Sequence, residues 1–403
     1  MMRKGVLFLL VASPAFSALP PERIDLHYDR DLRIESQDGK AEASLGGELG
    51  VFTVCNGMDK GGGGEGVYFE PYADILVDIT YGIKEGHLLG VSLDFVEPES
   101  ALLDIEDERA NRVNNRGFLY GPQWRTVKLF WRYTNEDELW QVDFGRDRFL
   151  GFEPLLGKYQ GSMPLLLRNT LYWDNGASIS NERYLSSGRK MYGIRAAILD
   201  SEGWYGLENQ RFQNSYPRFG AQGEIYPLDI VSPEFARTFG RVGFLLSWTN
   251  AQGGSSRGMK EELSHFLYGV SYSRAIGKLD FTSRFLTGTL ERGSLDVPQD
   301  PEETGGWVWE NRLGGIDCQE GKLSLYGSLA SAEYEGGQNW WLWKSKATTY
   351  EKGWMIGAEY QNPFGVSERL SILIAYFQKD FDGERRWNAL GDNGFWFGAV
   401  YHF

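Results

Sequence analysis

The sequence predicts an all-β protein, a transmembrane antiparallel β-barrel of about sixteen strands with short periplasmic turns and long outer loops. Segments in which apolar and polar residues alternate with period two recur from residue 41 to the end of the chain. Glycine and aromatic residues are abundant, with 51 Gly, 14 Trp, 21 Tyr and 24 Phe in 403 residues. Mean hydropathy is only −0.39, which a barrel tolerates because only alternate residues of its strands must face lipid.

The amino terminus is typical of a cleaved export signal. Arg3 and Lys4 precede the apolar run Val6 to Ala12, and the small residues Ala15 and Ser17 suit cleavage before residue 18. We therefore predict a signal peptide over residues 1–17, a short periplasmic lead over 18–40 and the barrel over 41–403.

Charge and cysteine content argue against several classes of protein. Loss of Arg3 and Lys4 with the signal takes the formal net charge from −14 to −16, and an acidic exported chain is a poor candidate for binding nucleic acid. Cys55 and Cys318 are too few for a disulfide framework and are expected to lie far apart, so we predict two free thiols. The four histidines are widely spaced, so we expect no metal and no other cofactor.

The predicted strands follow one another along the chain, each with one apolar face. In the clearest, Val67 to Tyr81, every second residue from Ala73 onward is apolar. No segment with helical periodicity of comparable length competes. The other predicted strands are Ala41 to Val54, Leu89 to Phe95, Val127 to Tyr133, Leu139 to Asp147, Tyr192 to Ile198, Phe219 to Ile230, Val242 to Trp248, Phe266 to Tyr272, Leu279 to Phe285, Trp307 to Leu313, Leu323 to Leu329, Trp354 to Tyr360, Leu370 to Tyr376 and Gly394 to Phe403.

The alternation of short and long connections sets the strand count. A bacterial barrel needs an even number of strands, with short turns on the periplasmic side and longer loops outside. Short turns are predicted near Gly86, Asn135, Ser201, Pro233, Ile276, Gln319 and Asn362, with longer connections between them that include Gln213 to Arg218. The count closes at sixteen only if Phe219 to Ile230 is a strand, although Pro227 is unfavourable in one. Twelve or eighteen strands remain possible.

The last predicted strand ends on an aromatic residue. Gly394 to Phe403 alternates throughout and resembles the terminal strand of bacterial outer-membrane barrels. We expect it to descend to the periplasm and to close the barrel by pairing with Ala41 to Val54. Tyr401 and Phe403 are the candidate assembly signal, read by the barrel-assembly machinery.

The connection after the fifth predicted strand is the longest, with about forty residues from Arg148 to Gly188. Loops of this length without strand signals are usually functional or disordered. We predict that this one folds into the lumen and packs on the barrel wall, because it is too apolar to extend into water. Its apolar residues include Pro154, Leu155, Leu156, Met163, Pro164, Leu165, Leu166, Leu167, Leu171, Tyr172 and Trp173.

A barrel of this size with an inward third loop and a terminal Phe resembles the general-diffusion porins of Gram-negative outer membranes. The stretch Trp140-Gln-Val-Asp-Phe-Gly-Arg-Asp-Arg-Phe149 is similar to the way in which this family enters its third loop. In layout, the likeness covers essentially the whole mature chain. It implies a homotrimer in the cell outer membrane, in contact with lipid and lipopolysaccharide, that passes small hydrophilic solutes.

The same resemblance implies a constriction in which carboxylates on the third loop face arginines on the opposite wall. Such an arrangement produces a transverse field that orients dipolar solutes and discriminates by charge. For any single arginine, simple solvation on the wet face of a strand is the competing interpretation. The loop also contains Lys158, Arg168 and Arg183, which leaves the preference between anions and cations open. The loop candidates are Glu153, Asp174 and Glu182, and the wall candidates are Arg132, Arg195, Arg241 and Arg284, with Lys128 and Arg189 nearby.

Several functions fit such a barrel. The first expectation is a water-filled channel for passive diffusion of small hydrophilic solutes and ions. The alternative is a substrate-selective channel, for a carbohydrate if the Trp-rich run Asn339 to Lys344 is a sugar track, or for an anion such as phosphate. That run also suits an aromatic girdle at the membrane edge. An enzyme is not expected, because no serine has a reason to lie beside His87, His265 or His402.

Overall fold

In the computed structural model, sixteen antiparallel strands form a closed barrel. Each strand pairs with its neighbours along the chain, and the first and last strands pair with each other. The predicted fold class and strand number are therefore confirmed. The structure describes residues 32–57, 66–97, 123–148, 155, 172–173, 176–199, 204–205, 210–211, 218–254, 260–294, 302–337, 346–382 and 393–403.

The strands are numbered here in chain order around the barrel. They are β1 Ala41–Gly57, β2 Gly66–Lys84, β3 His87–Glu97, β4 Gln123–Thr134, β5 Glu138–Arg148, β6 Gly176–Tyr184, β7 Lys190–Leu199, β8 Arg218–Ile225, β9 Arg241–Gly254, β10 Lys260–Ile276, β11 Leu279–Ser294, β12 Glu302–Cys318, β13 Gly321–Gly337, β14 Lys346–Gln361, β15 Leu370–Asp382 and β16 Asn393–His402. Most are as long as or longer than the roughly 9–11 residues that a tilted strand needs to cross a bilayer.

The two faces of the wall differ as lipid and lumen require. On β9, Phe244 and Leu246 are both 49% exposed, whereas Leu245 and Ser247 beside them are 7% and 2% exposed. Successive side chains of a strand point to opposite faces, so the exposed apolar set faces outward and the buried set faces inward. The same alternation continues around the barrel. The outer surface is therefore an apolar belt suited to acyl chains.

The barrel closes where the two ends of the chain meet. β16 pairs with β1 as far as His402. Phe403 extends this ladder, because it and Gly47 exchange two backbone hydrogen bonds, each 2.9 Å long. Further along β1, a short strand, Leu32–Glu35, takes over the pairing. An amino-terminal segment that the sequence predicts only as a lead thus continues the line of the sixteenth strand.

The prediction for the sixth strand is wrong. β6 lies inside the segment predicted as the third loop, and the turn that follows it spans 185–189, not Ser201. Its outward face is only partly apolar, because it contains Asn181, which is 4% exposed. The Asn181 amide donates to the carbonyl of Leu139 at 3.5 Å, so a polar residue sits where alternation favours an apolar one. The third connection is therefore 149–175, and its described segment Tyr172–Trp173 pairs with the end of β5.

The predicted turn near Ser201 and the predicted connection Gln213 to Arg218 imply a sixteenth strand between them, and this placement is also wrong. The described residues there, Trp204–Tyr205 and Gln210–Arg211, pair only with each other in a small ribbon. The two errors compensate, because one strand is gained before β7 and one is lost after it. The total of sixteen strands is kept, but β7 runs in the direction opposite to the predicted one.

Two short helices replace the turn predicted at Pro233. β8 ends at Ile225, and helices α1, Pro227–Val231, and α2, Pro233–Phe239, follow before β9. Each helix begins with a proline, whose fixed φ suits the first helical position and whose missing N–H is not needed there. Pro227 therefore ends the predicted strand 219–230 early and starts α1.

Among the described residues, no helix is long and apolar enough to cross a membrane. Cys318, the last residue of β12, is a free thiol as predicted. The side chain of Cys55 lies outside the described residues, as do residues 1–31, which include the predicted signal peptide.

Candidate pore constriction

The third connection reaches across the lumen. The Leu155 amide donates a hydrogen bond of 3.2 Å to Glu310 Oε1 on β12. β12 lies on the far side of the sixteen-strand wall from β5, where the connection begins. Leu155 is 4% exposed and Glu310 2%. The predicted entry of the loop into the lumen is confirmed at this residue.

Glu310 also binds Arg284, one of the predicted wall arginines. Arg284 Nη2 and Nε on β11 donate to Glu310 Oε2 at 2.6 and 3.1 Å. The two residues are direct register partners on neighbouring strands, a position in which opposite charges attract. One carboxylate oxygen thus accepts from the loop and the other from the wall. Arg284 has a buried counter-charge and is not a free wall cation.

The inner faces of β9–β16 share a band of buried apolar side chains. Leu286 and Val308 are register partners next to the Arg284–Glu310 pair, and they are 1% and 0% exposed. This band is the surface on which an apolar third connection can pack, and Leu155 lies at its edge. Its members, on β9–β16, are Leu245, Leu267, Leu286, Val308, Ala330, Ala332, Met355, Leu373, Ala375, Phe377 and Val400.

The wall formed by β4–β7 has charged and polar side chains in the lumen instead. Arg132, Gln141, Ser180 and Arg195 occupy one register row, in that order. Arg132 Nε donates to Gln141 Oε1 at 2.9 Å. Arg195 Nη2 lies 3.9 Å from Asp143 Oδ2. Two of the predicted arginines therefore face the lumen at one level.

Asp143 is the centre of this polar group. It is 4% exposed, and it accepts hydrogen bonds from Gln141 Nε2 at 2.7 Å and from Ser178 Oγ at 3.2 Å. Lys128 Nζ is 3.7 Å from its Oδ1. Lys128 and Arg195 therefore share this carboxylate, and Arg132 reaches the same group through Gln141.

The Phe130 ring packs against Arg132 on the same strand. The Phe130 ring is 3% exposed and lies over Gly90 of β3, where a Cβ atom would come within 2.3 Å of it. Arg132 Cζ is 4.9 Å from the ring centroid, a distance at which a guanidinium is attracted to an aromatic face. Gly90 lets the ring lie flat against the wall, and the ring in turn positions the guanidinium.

Comparison with known proteins identifies solved structures with a similar fold. No model of a known protein family and no curated protein matches the chain. The outer-membrane channel DcaP of Acinetobacter baumannii matches with a TM-score of 0.57 at 10% identity, over 92% of this chain and 99% of that one. The anion-selective porin of Comamonas acidovorans matches at 0.55 and 11%, over 90% and 100%. OmpF of Salmonella typhi, in complex with daunomycin, matches at 0.55 and 12%, over 92% and 100%.

The chain has the fold of the general-diffusion porins. Within this porin fold, the four predicted wall arginines do not form one ladder. Arg132 and Arg195 lie in the polar group of β4–β7, and Arg284 is paired with Glu310. Arg241 lies at the short-turn end, where its Nε donates to Asp229 Oδ2 of α1 at 2.5 Å.

The prediction that Arg241 belongs to the constriction is therefore wrong. Its guanidinium carbon lies 3.5 Å from the centre of the Tyr226 ring, and Arg189 Nη2 binds the second oxygen of Asp229 at 3.0 Å. Asp229 is 0% exposed. The alternation along β9 correctly identified Arg241 as facing the lumen. It did not show how far along the barrel axis Arg241 lies, because the helix that supplies Asp229 was not predicted.

The three carboxylates predicted for the third loop do not all lie in it. Glu182 is not in the loop but on β6, where it accepts from Lys190 Nζ at 2.9 Å and from Tyr184 Oη. Its misplacement follows directly from the missed strand. Glu153 and Asp174 lie outside the described residues, as does the run Asn339 to Lys344.

Sequence reasoning missed both buried carboxylates of the site, Asp143 and Glu310. Each lies on the polar face of a correctly predicted strand, so the available signal was its parity. What alternation does not show is that each faces an arginine on a nearby strand, because that depends on register.

A serine, a histidine and a carboxylate meet at the closing seam, contrary to the expectation that no serine lies beside a histidine. His402 Nδ1 is 2.9 Å from Glu48 Oε1, and its Nε2 is 3.3 Å from Ser371 Oγ. These elements match those of a hydrolase triad. However, Ser371 is 1% exposed, so its hydroxyl is closed to a substrate carbonyl. The three side chains instead join β1, β15 and β16.

Proposed function

We propose that the protein is an outer-membrane porin, a water-filled channel for passive diffusion of small hydrophilic solutes and ions. The observation that carries this proposal is the contact between Leu155 and Glu310. A connection held against the apolar band of β9–β16 leaves the wall of β4–β7, with Arg132 and Arg195, to line the passage. The fold shared with DcaP and OmpF supports a channel role.

Conductance in planar bilayers tests the proposal. Purified, folded protein is expected to insert in discrete steps with a linear current–voltage relation, and heat-unfolded protein from the same preparation is the control. If folded protein produces no conductance above the control, both the diffusion channel and a selective channel are excluded.

A preference for anions is the second candidate function. At the level of the polar group, the inner faces of β4 and β7 present three cations, Lys128, Arg132 and Arg195. A cationic lining in a narrow aqueous gap raises the local anion concentration. One of the matching structures is named an anion-selective porin, which adds weight to this candidate. A carbohydrate preference stays a prediction from the sequence.

We further propose that the chain has no catalytic role. The burial of Ser371 and its position between two strands support this proposal, since a nucleophile needs access to its substrate. A fluorophosphonate probe, which reacts with activated serines, is expected to leave the folded protein unlabelled. Labelling that disappears in Ser371→Ala would overturn this proposal.

We propose a homotrimer in the outer membrane, reached by way of the signal peptide over residues 1–17. One matching structure is described as the trimer form of OmpT from Vibrio cholerae. The outward face of β1–β4 is mainly aliphatic, as in Leu49, Val51, Ile79, Leu89 and Leu129, which suits close packing between copies. Chemical cross-linking of folded protein should give a trimer, and a monomer alone would contradict this. Contacts with lipopolysaccharide and with the assembly machinery remain predictions.

A further inference from the structure

An apolar cluster is exposed on the helices between β8 and β9. Val231 is 82% exposed, Phe239 55%, Phe235 48% and Ile230 41%. Phe235 and Phe239 lie one turn apart on α2, and their ring centroids are 4.5 Å apart. Exposed apolar groups of this kind usually mark an interaction surface.

α1 is fastened to the inside of the barrel end. Its Asp229 is fully buried between Arg241 of β9, whose Nε is at 2.5 Å, and Arg189 of the turn before β7, whose Nη2 is at 3.0 Å. Tyr226, which precedes α1, is 1% exposed and stacks against Arg241. These contacts fix the start of the helix pair to the rim.

The end of α2 lies against the outside of the barrel. The Tyr272 hydroxyl on β10 donates to the carbonyl of Phe239 at 2.8 Å. Tyr272 alternates with Ser271 and Ser273, which are buried on the inward face, so its own side chain faces outward. Its ring is 6.3 Å from that of Phe281 on β11. The helix pair therefore straddles the edge of the wall.

Gly240 makes this close approach possible. Its φ is +107°, and a Cβ atom at this position would lie 2.5 Å from Tyr272. Glycine is therefore required both for the backbone conformation and for the space. The position of α2 on the outer surface is thus built into the chain and does not depend on a bound partner.

We propose that α2 is an interfacial anchor that places Phe235 and Phe239 in the phospholipid leaflet on the short-turn side of the membrane. The two rings continue the lipid-facing surface that Tyr272 and Phe281 form on the barrel. Aromatic side chains are favoured at the boundary between headgroups and acyl chains, and a short amphipathic helix can lie in that plane. This proposal requires only that the barrel spans a membrane, and it does not depend on which solute passes through the channel.

Spin labels test the depth of α2 in vesicles of phosphatidylethanolamine and phosphatidylglycerol. Single cysteines replace Phe235 or Phe239 in a Cys55→Ser, Cys318→Ser background, and each label is exposed to oxygen and to a water-soluble nickel chelate. Leu246→Cys on the outer face of β9 is the lipid control, and Lys278→Cys in an exposed turn is the water control. Arg237→Cys reports the exposed polar side of the same helix.

Labels at 235 and 239 are expected to be more accessible to oxygen than to the nickel chelate, as at Leu246. The label at 237 is expected to be more accessible to the nickel chelate. Nickel accessibility at 235 and 239 equal to that at 278 would overturn the proposal. Protection from both reagents, with dipolar broadening between labels, would also overturn it, because a second copy would then cover the helix.

A second measurement uses the unsubstituted protein. Phospholipids with a photoreactive acyl chain are expected to cross-link to residues 230–239 as well as to the strand that holds Leu246. Cross-links to that strand with none in 230–239 would reject the anchor even if a cysteine variant fails to fold.

Discussion

Leu155 and Glu310, 155 positions apart in the chain, are joined by a hydrogen bond of 3.2 Å across the lumen. The same carboxylate accepts from Arg284 at 2.6 Å. Glu310 therefore has two functions, an acceptor for the loop backbone and a counter-charge for the wall, which two substitutions can separate.

Glu310→Gln keeps an oxygen acceptor for the Leu155 amide but removes the negative charge opposite Arg284. We expect unchanged single-channel conductance and a reversal potential shifted toward anions, because the negative charge opposite Arg284 is removed. Glu310→Ala removes both interactions, so the loop is released and the conductance should rise and become noisier. The control is Glu359→Gln, a carboxylate that binds Tyr326 elsewhere on the wall. Conductance of Glu310→Ala equal to that of the unsubstituted protein would show that this contact does not hold the loop.

Arg132→Ser and Arg195→Ser each remove one cation from the polar group and leave Asp143 in place. We expect each change to move ion selectivity toward cations, and the double variant to move it further, measured as the reversal potential under a salt gradient. The shift should be larger at low salt, because at physiological ionic strength mobile ions screen charges over about 8–10 Å. Lys278→Ser, which removes a cation from an exposed turn, is the control. An unchanged reversal potential in the double variant would place both arginines outside the constriction.

The alternation of apolar and polar residues determines which features of this barrel the sequence can predict. Period two identifies which residues face the lumen, so Arg132 and Arg195 were found without knowledge of their partners. It does not identify β6, because Asn181 interrupts the apolar face of that strand. The Arg284–Glu310 pair depends on the register of β11 against β12, and the Leu155 contact depends on a loop path, neither of which has a local signal. Arg241 was misplaced for a related reason, since Asp229 reaches it from a helix of only five residues.

Gly90→Val should disturb Arg132 although the two side chains are on different strands. A Cβ at position 90 would lie 2.3 Å from the Phe130 ring, so the ring must leave the wall. We expect a loss of about 1–3 kcal/mol of stability, typical of overpacking, and a shifted reversal potential. Adding Phe130→Ala should restore stability by removing the clash, but not selectivity, because the support for Arg132 is then absent. Equal stability of Gly90→Val and the unsubstituted protein would contradict this packing.

Asp229→Asn should destabilise the barrel end by about 3 kcal/mol, because it leaves two guanidiniums buried without their counter-charge. Arg241→Met should have a smaller effect, since Arg189 still compensates Asp229 at 3.0 Å. Denaturant unfolding from vesicles measures both. Lys278→Met, which breaks an exposed pair with Asp317, is the matched control and should unfold like the unsubstituted protein. Equal losses of stability in Asp229→Asn and Lys278→Met would mean that Asp229 does not hold α1 against the barrel.

Deletion of Phe403 should impair assembly far more than it changes the pore. The residue supplies two backbone hydrogen bonds of 2.9 Å to Gly47, at the point where β16 ends and the strand Leu32–Glu35 takes over the pairing with β1. Without it the ladder has a gap at the closing seam, where unpaired backbone groups near lipid are costly. We expect slower and less complete folding into vesicles, measured by heat-dependent gel mobility, while molecules that do fold conduct normally. Phe403→Leu keeps the backbone pairing and should fold nearly as well, which separates pairing from recognition of the aromatic ring. Normal folding of the deletion variant would show that the seam closes without its last residue.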